Sequence, residues 1–150
     1  MIKINHRITI IHGINSEELR NNSDAISDGF FQGEQISEML SSPDIRDRII
    51  GELSNLAKVT LRVIDGTINI TAIKDRTSYK GLQSLRALIP KPNLSSNHLR
   101  QSYLSVTVSS FGTFNSVIQY VNVQKQELVV LTLVTNYRMG QMLIERVEIS

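Results

Sequence analysis

The sequence contains no cysteine and no tryptophan, and aromatic residues make up only 5% of its 150 residues. The absence of cysteine excludes a disulfide framework, thiolate metal ligands and thiol redox chemistry. It leaves the compartment open, because reducing cytosol and virion interiors both tolerate such a chain. With so few aromatic residues, isoleucine, valine and leucine must fill the core of a chain that is 41% apolar and 20% charged, which is a globular composition.

Long apolar runs are missing as well, since none approaches the roughly 18 residues of a membrane helix. Residues 1–7 show no apolar segment followed by a small-residue cleavage site. We therefore expect no signal peptide and no membrane span, and a location in a virion or in the host cytoplasm. The length predicts one domain over residues 1–150. A candidate hinge lies near residues 90–96, where two prolines interrupt a helical pattern.

Patterns for catalysis and cofactor binding are also absent. The histidines, His6, His12 and His98, are not spaced as metal ligands. No serine has a G-x-S-x-G context, and no glycine-rich loop ends in G-K-S/T. The sequence therefore predicts a non-enzymatic protein with no catalytic residues, no cofactor and no metal site. An enzyme would require one of these histidines to meet a carboxylate or a serine in a pocket.

The N-terminal half predicts a strand followed by a helix. Isoleucines alternate with polar residues over residues 2–11, which is typical of a half-buried strand. Ser42-Pro43 is a helix start, because serine can cap free N–H groups and proline at the first helical position loses nothing. Apolar residues at i, i+4, i+8 and i+11 from Ile45 predict one buried stripe that ends near Ala57.

Residues 59–73 predict a β-hairpin. Asp65-Gly66 can supply the two positive-φ residues of a type I′ turn. With that turn, Val63 pairs with Ile68 on the apolar face, and the pairs farther from the turn keep the same register. A short helix is then predicted over residues 82–89 and ends at Pro90.

The C-terminal third predicts a β-α-β-β unit. Residues 104–108 form an apolar, β-branched strand, and Phe114 begins an i, i+3, i+4, i+7 pattern that predicts a helix up to Gln126. Two further strands, 128–134 and 142–149, are joined by a turn over residues 136–140. A bulge at Glu145-Arg146 would place the apolar residues of the last strand on one face. The predicted fold class is α+β, an antiparallel sheet with hairpins and two to three helices.

The strand 128–134 is apolar apart from Thr132, so it is either covered on both faces or lies at an edge that needs a partner. An exposed edge would favour assembly of several copies. Charge is also uneven, since residues 1–56 carry 5 Lys/Arg against 9 Asp/Glu and residues 57–150 carry 11 against 5. This asymmetry either stacks the acidic surface of one copy on the basic surface of another or leaves two solvated faces with no partner. We therefore expect a homo-oligomer. The candidate interface residues are Leu128, Val130, Tyr137, Arg138, Met139 and Met142.

A stretch of basic residues precedes the C-terminal unit. Six neutralised phosphates would give a strongly salt-dependent affinity for nucleic acid, but only two tyrosines accompany these charges as stacking platforms. A solvated face, or one that meets the acidic half of a neighbour, is favoured over nucleic acid. The candidate basic patch comprises Lys74, Arg76, Lys80, Arg86, Lys91 and Arg100.

The order of elements after Phe114 carries two resemblances. The pattern is a helix from Phe114 to Gln126, a strand ending in Val134-Thr135, then Tyr137, a methionine (Met139 or Met142) and a strand from Leu143 to Val147. It resembles the C-terminal part of distal-tail-like proteins of bacteriophage tails and baseplates. That resemblance covers about 35 of the 150 residues and implies a structural ring subunit joining the tail tube to the baseplate.

The second resemblance uses the same order of elements. Gly112-Thr113-Phe114 at the start of a helix is similar to the ferredoxin-like domain of assembly proteins in type II secretion and type IV pilus systems. The expected function is therefore a self-associating structural subunit of a phage tail or baseplate, whose partners are other structural proteins of the same assembly. The alternatives are the secretion or pilus component and a weak nucleic-acid-binding protein.

Overall fold

The computed structural model describes residues 5–11, 40–109, 112–138 and 140–150. In these ranges the order of elements is a strand, β1 (Asn5–Ile11), two helices, α1 (Pro43–Ile64) and α2 (Tyr79–Arg86), and then four strands. The four strands are β2 (Leu99–Ser109), β3 (Thr113–Asn122), β4 (Glu127–Arg138) and β5 (Gln141–Ile149). The α+β fold class predicted from the sequence is confirmed.

The five strands form one sheet in the order β1-β2-β3-β4-β5. The last four strands are antiparallel neighbours joined as successive hairpins, whereas β1 pairs with β2 in parallel. A parallel neighbour needs a long crossover connection, and α1 and α2 lie in that connection. One face of the sheet packs against the helices and forms the core, to which α1 contributes Leu53 and Ile64, α2 contributes Leu85, and the sheet contributes Phe114 and Leu131.

Helix α1 begins at Pro43, as the sequence predicts, but the Ser42 side chain makes no capping hydrogen bond. The helix runs on to Ile64, so the predicted hairpin over residues 59–73 is wrong. Its β-branched residues continue the helical stripe instead of alternating, since Thr60, Val63 and Ile64 are all buried. Burial of that stripe overrides the strand propensity of valine, threonine and isoleucine.

The Asp65-Gly66 pair ends α1 instead of turning a hairpin. Asp65 is the C-cap residue, and Gly66 follows it with a φ of +85°. A glycine with positive φ just past the C-cap is a common helix stop. The sequence therefore indicates the correct backbone conformation at Gly66 but not the element that it terminates.

The predicted helix from Phe114 to Gln126 is also wrong, because residues 113–122 form strand β3. Alternate residues of β3 are buried, and two of them, Ser116 and Asn122, are polar. These two polar residues hide the period of two and leave the apolar residues at helical spacing by coincidence. The C-terminal unit is therefore four successive strands and not β-α-β-β.

The predicted bulge in the last strand is confirmed. Val134 pairs with Arg146 and Thr135 pairs with Ile144, so Glu145 is an extra residue on β5. Because of it, Ile144 and Val147 are both buried although they differ in parity. The turn before β5 is shorter than predicted, since Arg138 already pairs with Gln141 across two residues.

Residues 90–96, the candidate hinge, are bonded to the end of α1. The Lys91 amide donates to the Ile64 carbonyl at 2.8 Å, and Leu94 is buried. The Ser96 amide donates to the Asp65 carboxylate at 2.8 Å.

Candidate functional site

The six candidate interface residues are not on one surface. Leu128 is 64% exposed and Val130 is half-buried, and both lie on the sheet face opposite the helices. Tyr137 packs against the core from the helix-covered side, and Met142 is fully buried in that core. Arg138 is half-buried at the end of β4, and Met139 lies outside the described residues. Only Leu128 and Val130 of this set therefore present apolar surface on the outer face.

The face of the sheet that is turned away from the helices, here called the outer face, is the most unusual surface of the described residues. Arg100 of β2 lies opposite Val121 of β3 at one end of this face. Beyond it, no side chain is charged over three or four successive outward positions on each of β2, β3 and β4. These outer-face residues are Tyr103, Ser105 and Thr107 of β2, Asn115, Val117, Gln119 and Val121 of β3, and Leu128, Val130, Thr132 and Val134 of β4.

Residues that face each other across β3 and β4 bring the apolar side chains of the outer face together. Val121 lies opposite Leu128, and Gln119 lies opposite Val130. Val117 is 36% exposed, against 64% for Leu128. The sequence prediction missed Val117 and Val121 as surface residues because it assigned them to a helix, and the buried polar residues Ser116 and Asn122 hid the alternation of β3 in the sequence.

The β5 edge of the sheet is covered by the segment that contains α2. It is therefore not an exposed edge that could pair with a strand of another chain. Backbone groups along β5 receive hydrogen bonds from the segment that contains α2: the Ser78 amide donates to the Ile144 carbonyl at 2.9 Å. The Ser84 hydroxyl donates to the Val147 carbonyl at 2.7 Å and accepts from the Val147 amide at 2.8 Å. Arg76 donates through Nε to the Met142 carbonyl at 3.3 Å. A covered edge of this kind does not template strand addition.

The six candidate basic residues are spread over different surfaces. Arg76 is half-buried and forms an ion pair with Glu52, whereas the others of the set are exposed: Lys74, Lys80, Arg86, Lys91 and Arg100. Arg76, Arg86 and Arg100 each line a different cleft. The fold therefore divides the basic stretch, and its arginines do not line a single groove.

One of these clefts lies between α1 and the beginning of β2 and has a volume of about 580 Å³. Ser54, Lys58 and Arg62 of the helix form one wall, and Arg100, Gln101 and Tyr120 of the sheet form the other. The Gln101 amide donates to the Ser54 hydroxyl at 3.3 Å across the gap. Sequence reasoning missed this cleft because it placed Lys58 and Arg62 beside or within a hairpin and Tyr120 in a helix.

No group of three or more histidine, cysteine or carboxylate side chains close enough to hold a metal ion occurs in residues 5–11, 40–109, 112–138 and 140–150. In the same ranges, no helix is long and apolar enough to cross a membrane. Comparisons with protein-family models, with curated proteins and with solved structures found no match to this chain. Function must therefore be inferred from its own surfaces.

Proposed function

We propose that the protein is a non-enzymatic structural subunit that self-associates through the outer face of its sheet. The observation that carries the proposal is the outer face of β2, β3 and β4, where the outward positions beyond Arg100 carry no charge over three or four successive residues of each strand, in a chain that is 20% charged. The side chains on a sheet face that stays in water are normally polar or charged. The centres of protein interfaces, by contrast, are depleted of charged residues.

A second copy of the same chain fits this face better than an unrelated partner. A two-fold interface brings the same patch of both subunits together, so an uncharged patch needs no oppositely charged counterpart. Two such sheets can pack face to face at about 10 Å, with Val117, Val121 and Leu128 filling the space between them. Because the β5 edge is covered by α2, face packing is the route to assembly that this geometry favours over strand addition at that edge.

The proposal is tested by measuring the mass of the protein in solution between about 1 and 100 μM, the range in which an interface of ordinary size associates. We expect a dimer or larger oligomer for the native sequence and a monomer for Leu128→Lys and Val117→Lys, because each would bury an unpaired ammonium. Tyr79→Lys is the matched control, since Tyr79 is 73% exposed but lies on α2, and it should associate like the native protein. A native chain that stays monomeric throughout this range, at low and high salt, would refute the proposal.

A narrower form of the proposal is that the assembly is a bacteriophage tail or baseplate in which other structural proteins are the partners. It is supported by three parts of the C-terminal resemblance: Val134-Thr135 and Tyr137, which the structure places in β4, and the apolar residues from Leu143 to Val147, which it places in β5. Strand β3 replaces the helix of that pattern. Genes for tail-tube or baseplate proteins beside the coding gene would favour this form, and an unrelated gene neighbourhood would remove it. The secretion or pilus alternative requires a helix that begins at Gly112-Thr113-Phe114. The structure has strand β3 there, so that alternative is not proposed.

A further inference from the structure

The cleft between α1 and the beginning of β2 has the size of a small-molecule site. Its volume is about 580 Å³, and pockets for small organic ligands in proteins commonly enclose about 300–1,000 Å³. Most of its lining lies away from the outer face, because it comes from α1 and from the inward-facing pair Gln101 and Tyr120, although Arg100, opposite the outward-facing Val121, also lines it. Occupation of the cleft and self-association are therefore tested separately.

The charged side chains among the described lining residues of the cleft are all cationic. Lys58 and Arg62 are separated by four residues on α1 and so lie on the same side of that helix, and Arg100 approaches from β2. No carboxylate is among the described lining residues, although the Asp65 carboxylate accepts hydrogen bonds from two of them, Ser96 and Thr67. The ion pairs that the described residues form elsewhere join Arg76 to Glu52 and Arg146 to Glu148, so these three cations have no carboxylate partner in that part of the chain. The Arg100 guanidinium also donates to the carbonyls of Asn97 and Leu99. Three cations without a carboxylate partner around one cavity favour an anion.

The inner part of the cleft is apolar. Leu61 and Leu99 are buried at its wall, and Tyr120 is only 4% exposed. The Tyr120 hydroxyl is buried without a hydrogen-bond partner, which is a costly state for a polar group. Burial also raises the pKa of Tyr120 well above its ordinary value, so its hydroxyl stays protonated and can donate at neutral pH.

The walls of the cleft are held together by Asp65 at the end of α1. Its carboxylate accepts from the Ser96 amide at 2.8 Å and from the Thr67 amide at 2.9 Å. Ser96 and Thr67 both line the cleft. The Asp65 side chain therefore fixes the end of α1 to the loop that leads into β2, and the shape of the cleft depends on these hydrogen bonds.

We propose that this cleft binds a small anion with an apolar body, such as an aromatic sulfonate or a medium-chain carboxylate. The acid group would lie among Lys58, Arg62 and Arg100, the body would pack on Leu61 and Leu99, and the Tyr120 hydroxyl would donate a hydrogen bond to the ligand. Guanidinium groups suit carboxylates and sulfonates, because they donate in a planar, bidentate manner.

The experiment uses 8-anilinonaphthalene-1-sulfonate as the probe and N-phenyl-1-naphthylamine as the matched neutral probe, because the two differ by the sulfonate group. We expect one saturable site for the sulfonate and binding of the neutral probe that is at least about ten-fold weaker, since a charge-assisted contact is typically worth that factor. Equal affinity for the two probes would overturn the proposal.

Variants locate the site. Arg62→Glu and Arg100→Glu should each weaken binding of the sulfonate by about ten-fold or more, whereas Arg86→Glu, an exposed arginine that lines a different cleft, should leave it within about two-fold. Tyr120→Phe should weaken binding while its melting temperature stays the same or rises, because the buried hydroxyl is unpaired in the free protein. Unchanged affinity in Tyr120→Phe would refute the predicted hydrogen bond, and unchanged affinity in Arg62→Glu would refute the site.

Because this dye also binds exposed apolar surface, Leu128→Lys serves as a second control on the outer face. The affinity of Leu128→Lys for the dye should equal that of the native protein. When the dye is titrated into the protein, the NMR chemical shifts of the Gln101 and Tyr120 amides should change. Loss of binding in Leu128→Lys would place the dye on the outer face and overturn the assignment. The oligomeric state of each variant is measured in parallel, so failure of the cleft and failure of self-association are separate results.

Discussion

Gly81 of α2 lies so close to the backbone of β5 that a Cβ atom added to it would stand 2.2 Å from the Ile144 carbonyl oxygen. That carbonyl already accepts a hydrogen bond from the Ser78 amide, just before α2. The close approach lets the first turn of α2 cover the edge of the sheet, and a glycine is required there because any side chain would collide with β5.

The first prediction compares two glycines in helices. Gly81→Ala should destabilise the fold by about 1–3 kcal/mol, since backbone and helix must move apart to admit the methyl group. Gly51→Ala in α1 is the control, because nothing lies within 4 Å of a Cβ at Gly51. It should stabilise the protein by about 0.5–1 kcal/mol through helix propensity alone. Denaturant unfolding measures both, and stabilisation of similar size in the two variants would contradict the packing of α2 on β5.

The second prediction concerns Ser84, whose hydroxyl bonds both the amide and the carbonyl of Val147. Ser84→Ala leaves both backbone groups without their partner at a partly buried edge, which should cost about 1–3 kcal/mol. Hydrogen exchange at the Val147 amide should accelerate, while exchange in the middle of β3 should change only as global stability does. Native protection at Val147 in this variant would show that water or another group replaces the hydroxyl.

The parts of the fold that could be predicted from the sequence are those where local pattern and burial agree. Strand β2, strand β4 and the bulge at Glu145 all follow from apolar alternation or an apolar run in the sequence, and the structure has them. Pro43 marks the first residue of α1, because proline lacks the N–H group that the first turn of a helix leaves unpaired. This reason is local and does not depend on tertiary packing.

The errors arise where one pattern fits two structures. Asp65-Gly66 satisfies a type I′ turn and a helix stop equally well, and only the packing of Thr60 and Ile64 into the core decides between them. In β3 the buried Ser116 and Asn122 break the apparent alternation. Asn122 is buried because its side-chain oxygen accepts from the amides of Gln124 and Lys125, which builds the turn into β4. The cleft could not be predicted, since it depends on which helix face meets the sheet.

The third prediction is a pH dependence at Asp65. Burial acts to raise the pKa of this carboxyl, but the hydrogen bonds from Ser96 and Thr67 outweigh it, so the pKa lies below its ordinary value of 3.8. A group with a lowered folded-state pKa stabilises the fold above its unfolded-state pKa and loses that effect as pH falls through the folded-state pKa. Asp65→Asn should therefore melt below the native protein at pH 7, and the gap should narrow between about pH 5 and pH 2. A gap that is constant with pH would show that Asp65 acts through packing alone.

The fourth prediction tests the bulge in β5 by deletion. Removing Glu145 leaves Arg146 opposite Val134 and Val147 opposite Leu133, so the inner face of β5 keeps its apolar residues. Removing Thr132 from the regular part of β4 instead shifts every later residue of that strand by one position and turns its buried side chains outward. We expect the Glu145 deletion to fold cooperatively with a lowered melting temperature, because the contacts of Ser78 and Ser84 with Ile144 and Val147 must adjust. The Thr132 deletion should show no cooperative thermal transition. Circular dichroism during heating separates the two, and a cooperative transition in both would mean that β4 can restore its register elsewhere.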